Sequence, residues 1–326
     1  RKDNILLSMG SNFSDLIKKI RILYTYKKIS QSKYLIVTTK GKENIIIERK
    51  KILEEKFDFN GELIIPEELN EYYQDVPKEE AKEGTKEFIE KSIGIIEPTY
   101  EEIINAYRMY LAMENLIKDK KANGITIDCI KLFKLSALPA YPCIGFTFLN
   151  DKGIPSACEG DVFSLFTMYV FKYLTGLPSF ISDPVIDVSK NTIIHAHCVA
   201  PTKIDGENNS PYIIRSHAEN NKSVSLQVKF EGIGRKMTVG NLIKDIDGKT
   251  KIVVSTGEFI GNPETNRGCR TKFELKIKDA DKMLKSWPNG AINCFGLHRV
   301  LVYGDWINEI EELARLLNIE VIREQK

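Results

Sequence analysis

Apolar and polar positions in the first 200 residues switch between two periods. Residues 34–39 and 62–66 are short β-branched or apolar runs that read as strands, as do residues 125–130. Between them, Ile45–Phe57 and Tyr100–Asp119 show apolar residues at helical spacing on otherwise charged segments. Residues 76–94 are so rich in Lys and Glu that a solvated helix with its flanks is expected. Strands separated by helical patterns predict βαβ units on a mainly parallel sheet. Residues 143–149 form a continuous apolar run that reads as a further buried strand, with Asn150-Asp151-Lys152-Gly153 as the turn after it. Asp161 stands where a helix N-cap belongs, and residues 162–174 are apolar nearly all round, which predicts a helix buried on most faces. Gly176 and Pro178 end that helix, and a short strand runs to Asp183.

The period changes after about residue 205. Residues 223–230 and 272–277 alternate, residues 252–255 are mostly β-branched, and Asp247-Gly248 offers a turn before them. This predicts a small antiparallel β domain, barrel-like, with no helix until the tail. There Asp305 is expected to cap an amphipathic helix through Leu317, Asn318 to end it, and residues 319–322 to form a last strand. The expected architecture is α/β: a flavodoxin-like open-sheet domain over residues 1–200, then a β-barrel-like domain over 201–326 whose terminal helix and strand pack back.

At 326 residues the chain can bury a sizeable core, and 47 Lys+Arg against 45 Asp+Glu leave a net charge of +2. That balance excludes the basic excess of a dedicated nucleic-acid binder. Six scattered cysteines without a Cys-x-x-Cys pair form neither a disulfide framework nor a zinc cluster, and they fit a reducing, cytoplasmic setting. No apolar stretch is long enough for a membrane helix. A start at Arg1 fits a processed protein or a piece of a longer one.

Chemistry concentrates between Ala157 and Ala200: Cys158-Glu159-Gly160-Asp161, the buried helix, Asp183, then His195-Ala196-His197-Cys198. Glu159 and Asp183 flank one buried helix near strand ends, where α/β sheets collect ligands. Two carboxylates with an imidazole suit a divalent cation, Mn²⁺ before Mg²⁺ or Co²⁺. The same acids could instead only hydrogen-bond loop amides and helix ends, and residue spacing leaves both readings open. His195 and His197 share one face of a strand, as a ligand pair or a substrate-gripping pair would, or as two structural histidines. His298 enters an apolar strand and by spacing alone reads as structural. Gly232-Ile233-Gly234 lacks the strand and helix of a dinucleotide fingerprint, and the cysteines beside Glu159 and His197 read as inert buried thiols.

Taken in order, Ala157-Cys158-Glu159-Gly160-Asp161-Val162, Leu174-Thr175-Gly176-Leu177-Pro178, Asp183, His197-Cys198, Cys269-Arg270-Thr271 and His298-Arg299-Val300 resemble the sugar-isomerase family that contains L-fucose isomerase and L-arabinose isomerase. Arg215 through Phe230 and the block from Leu313 to Glu320 extend the resemblance to roughly residues 100–323. The resemblance implies metal-dependent aldose–ketose isomerisation of a monosaccharide through an enediol, in a homo-oligomer. Glu159 and Asp183 match its proton-exchanging metal carboxylates and His298 its metal histidine. His197, His195 and Arg215 are candidates for holding the substrate. Two features depart from the family: a further N-terminal lobe is expected in its members, and Leu297 stands where they often have Asn. The alternative is a non-catalytic sugar-binding or regulatory relative of the same fold.

Overall fold

The computed structural model describes residues 6–8, 10, 13–39, 45–218, 223–245, 248–287 and 298–324. Leu297 and Asp247, singled out above, lie outside them.

The chain opens with α1 (Ser14–Ser30), β1 (Lys33–Val37), α2 (Ile45–Phe57), β2 (Asn60–Ile64), α3 (Pro66–Asp75), α4 (Lys78–Glu90), β3 (Gly94–Ile95) and α5 (Tyr100–Asp119). Next come β4 (Ile125–Ile127), α6 (Cys129–Lys134), α7 (Cys143–Asp151), β5 (Ser156–Ala157) and α8 (Val162–Thr175). Strands β1, β2, β4 and β5 form a parallel sheet in the order β2-β1-β4-β5. Helix α5 starts where expected because Thr99 and Glu102 close a reciprocal capping box.

Residues 143–149 are helical, not extended as expected. The apolar run of α7 fits a buried helix as well as a buried strand, and length alone does not separate them. The packing decides: Gly145 lets the helix approach Met113 of α5, where a Cβ would stand 2.6 Å from the Met113 sulfur. The turn expected at Asn150 begins only after α7, and Asn150 pairs its amide with both backbone groups of Ser156. The strand expected over 125–130 stops at Ile127, because Asp128 precedes α6.

The second half contributes β6 (Phe180–Asp187), β7 (Thr192–His197), β8 (Tyr212–Ser216), β9 (Val224–Val228), β10 (Lys236–Lys244), β11 (Thr250–Gly261), β12 (Thr271–Lys276), α9 (Ala280–Ser286), β13 (Arg299–Tyr303), α10 (Ile307–Leu316) and β14 (Glu320–Arg323). Strands β10, β13, β6, β7, β12 and β11 follow one another antiparallel, and β11 pairs back with β10, closing a six-stranded barrel. Strand β14 adds to β11 in parallel, while β3, β8 and β9 make a separate small sheet. The barrel therefore recruits β6 and β7 from before residue 200. Asp305 does not cap α10: Trp306 holds that position and Asp305 faces Lys236. Asn318 does leave the helix in a left-handed conformation, at φ 55°.

Helix α8 ties the two layers together. Eleven of its side chains from Val162 to Leu174 are buried, and its apolar residues join one core with the parallel sheet and with Leu242, Val300 and Val302 of the barrel. Asn241 of β10 fastens the contact, donating to Ser164 Oγ and to the His298 carbonyl while accepting from Thr167 Oγ1. The barrel interior is filled by Phe180, Phe259, Phe273, Leu275 and Leu301. Among the described residues, no helix is long and apolar enough to cross a membrane.

Candidate active site

The carboxyl end of β5 meets the barrel wall formed by β6, β7 and β13, and four predicted residues converge there. Glu159 follows β5 with φ 61° and Gly160 with φ 65°, so two consecutive left-handed residues turn the chain from the strand into α8. Glycine suits position 160 because its φ of 65° would strain any residue with a side chain, and a Cβ there would also press on Ile46 Cδ1 at 2.4 Å. This turn projects Glu159 outward from the sheet toward the barrel.

His298 Nε2 lies 3.5 Å from Glu159 Oε2 and 3.6 Å from Asp183 Oδ1. His197 Nε2 lies 3.7 Å from Glu159 Oε1, and the two imidazole rings are 5.3 Å apart. Strand register explains the convergence: Asp183 pairs with Ala196 beside His197, and Arg299 after His298 pairs with Ser182 before Asp183. These separations exceed a hydrogen bond. The two made by His298, 3.5 and 3.6 Å, lie at or just above the spacing of about 3.0–3.5 Å between atoms that each sit ~2.1 Å from one shared ion. Both Nε2 atoms are buried without a hydrogen-bond partner, whereas Asp183 keeps 43% of its side-chain surface exposed. The centre is thus walled by imidazoles and open along the Asp183 side. Two carboxylates and a ring nitrogen fit a hard-to-intermediate divalent cation.

Asp161 shapes this centre, a role that residue spacing did not reveal beyond its cap position. Its Oδ1 accepts from the backbone N–H groups of Phe163 and Ser164, and its Oδ2 accepts from Ser164 Oγ at 2.6 Å and faces His298 Nδ1 at 2.9 Å. Arg49 of α2 approaches Oδ1 at 3.4 Å. Burial pushes the Asp161 carboxyl up, yet the His298 hydrogen bond and charge, with Arg49 and Ser164, hold it well below the usual carboxylate range. Burial pushes His298 down, but Asp161, Glu159 and Asp183 together lift it to about 9. His197 goes the other way: burial, then the charges of His298 and His217, hold it well below an ordinary imidazole.

The other candidates fall elsewhere. His195 is fully buried and its Nδ1 meets Ser182 Oγ at 3.0 Å, where that hydroxyl already donates to the Arg299 carbonyl. Arg215 is clamped by Glu97 at 2.9 and 3.0 Å from Nε and by Gln227, so it is engaged in a surface ion pair. Two neighbours were not singled out for the site: His217, whose charge reaches His197, and Cys269, whose sulfur lies within 4.8 Å of ligand atoms of His197 and Cys198. Hydrogen bonding with Cys129 and burial push the Cys158 thiol up, and hydrogen bonding with Cys198 and burial do the same to Cys269.

No family model matches the chain. It is similar to a protein of Clostridium sp. (strain MSTE9), 27% identical over 216 residues, which cover 65% of this chain and 46% of that protein. A protein of Alkalicoccus urumqiensis is 24% identical over 68% of this chain and 48% of its own length, and one of Priestia megaterium (strain ATCC 12872 / QMB1551) 23% identical over 63% and 44%. Each is named sulfoquinovose isomerase. The chain spans about half the length of the curated relatives it matches.

Proposed function

We propose that this chain carries the cation centre of an aldose–ketose isomerase that takes a monosaccharide and works through an enediol. The observation that supports this most is His298 Nε2, a buried nitrogen without a hydrogen-bond partner that faces both Glu159 and Asp183. The names of the relatives point to the same chemistry. Glu159, Asp183 and His298 would hold the cation, with Mn²⁺ the first choice and Co²⁺ or Mg²⁺ the alternatives. Bound there, a divalent cation polarises a sugar carbonyl and offsets the negative charge that develops on its oxygen.

The two carboxylates do the proton work in this reading. One removes the hydrogen at C2 of the open-chain aldose and returns it to C1, and the other passes a proton from the C2 hydroxyl to the C1 oxygen. His197 and His298, almost fully buried, keep water from one side of the reacting carbons. We further read the parallel sheet as flavodoxin-like, since its strands taken in chain order lie 2-1-3-4. A cytoplasmic homo-oligomer goes with this reading.

The deciding experiment supplies Mn²⁺ and a panel of pentoses, 6-deoxyhexoses and sulfoquinovose in D₂O, using the full-length protein where it extends beyond these residues. Deuterium is expected at C1 or C2 of a converted sugar. Sugar binding without conversion of any aldose would instead establish a non-catalytic sugar-binding relative.

A further inference from the structure

We propose that His197 is a hydrogen-bond donor of this centre and not a ligand of its cation: its Nε2 carries the ring proton and presents it to an oxygen of the bound sugar. The inference rests on the isomerase reading above and adds a role that distance alone does not assign. Ligand atoms of Asp183, His197 and His298 all lie within 4.8 Å of one another, so proximity would admit either histidine, or both, as ligands.

The far nitrogens separate the two rings. The backbone N–H of Cys198 donates to His197 Nδ1 at 2.8 Å. A nitrogen that accepts an N–H has no proton of its own, and a neutral imidazole has one proton to place. His197 therefore holds it on Nε2, the atom that faces Glu159 and the centre. His298 is the reverse. Its Nδ1 faces the Asp161 carboxylate, which can only accept, so Nδ1 keeps its proton and Nε2 is the nitrogen that can release its own and turn a lone pair to a cation. One ring thus offers a lone pair and the other an N–H into the same space. An N–H is repelled by a cation and attracted by an alkoxide or carbonyl oxygen. Its natural acceptor is a sugar oxygen gaining charge as the enediol forms, where a placed donor stabilises the transition state. Cys198, buried directly after β7, fixes the arrangement through its backbone N–H, a donor that among substitutions at position 198 only proline lacks.

The test begins with the metal-free protein labelled with ¹⁵N in its four histidines, assigned with His→Gln variants. Long-range ¹H–¹⁵N spectra should show the His197 proton on Nε2; a proton on Nδ1 would overturn the proposal. Titration with Mn²⁺ alone gives the second readout. His197→Gln and His197→Phe should bind Mn²⁺ within about threefold of the parent, while His298→Gln, which removes a ligand, should lose more than the about 10–100-fold that loss of an outer-shell partner costs. An equal loss in the His197 variants would make that residue a ligand and defeat the inference. On turnover, His197→Phe should lower kcat by about 10²–10³-fold, and His197→Gln, which keeps an N–H near the Nε2 position, should recover part of it. Should the parent bind no Mn²⁺, the cation reading fails, while the spectra still report where the His197 proton lies.

Discussion

Asp161 Oδ2 stands 2.9 Å from His298 Nδ1 although 137 residues separate them, and the same carboxylate caps the helix that joins sheet to barrel. One side chain therefore fixes both the start of α8 and the tautomer of a ring facing Glu159 and Asp183. Carboxylate partners of this kind orient metal-binding histidines and set their basicity. Asp161→Asn should keep most of the cap, because Asn is an equally good N-cap residue. It should nevertheless weaken Mn²⁺ binding by about 10–100-fold. Calorimetric titration beside a thermal melt separates the two effects; unchanged Mn²⁺ affinity would show that the pair does not orient the ring.

Glu159→Gln tests the carboxylate itself. The side chain is nearly isosteric, so the melting temperature should stay within a few degrees of the parent. Turnover of the sugar that the parent converts should fall by about 10²–10⁴-fold, the usual contribution of a general acid–base step. Loss of solvent-deuterium incorporation in parallel would place the defect at proton transfer. Full activity would remove Glu159 from the chemistry.

Gly160→Ala places a Cβ against Ile46 Cδ1 at a φ of 65°. The contact can relax, since a side-chain tip can move, but the left-handed backbone cannot, and it costs about 1–2 kcal/mol. The variant should be less stable by that amount in urea melts. Ile46→Ala alone removes a buried side chain and should cost about 2–5 kcal/mol, and in a double-mutant cycle the two losses should add. A Gly160→Ala change that costs nothing further in the Ile46→Ala background would mean that crowding, not backbone conformation, requires glycine here.

His195 offers a pH test away from Glu159 and His298. Burial first, and the Arg299 charge second, hold its imidazole down to about 3, against about 6.5 in the unfolded chain. The unfolded state then binds a proton that the folded state refuses, so this residue's contribution is present above pH 6.5 and is lost as pH falls toward 3. The stability advantage of the parent over His195→Asn at pH 7.5 should shrink by about 2–3 kcal/mol at pH 4.5. Equal urea midpoint differences at both pH values would show that His195 titrates normally in the folded protein.

By itself, the sequence determined the local elements. Ile45–Phe57 and Tyr100–Asp119 form where their apolar periodicity predicts, since an amphipathic helix is encoded within its own span. The Asp161 cap and the left-handed Gly176 that ends α8 were legible for the same reason. Glu159 and Asp183 stood out as acids around a buried helix, but His298 was raised above a structural histidine only by family resemblance. Tertiary structure decided the rest. An apolar run such as Cys143–Asp151 states that it will be buried, not against what, and contact with Met113 made it a helix. Whether the barrel closes at residue 200 or reaches back to β6 and β7 depends on strand pairing across about a hundred residues, which no local period records. The roles proposed for His197 and His298 lie further still from the sequence. Each is set by which neighbour meets the ring's far nitrogen, a backbone N–H at Cys198 or a carboxylate at Asp161, and only the folded chain brings the carboxylate there.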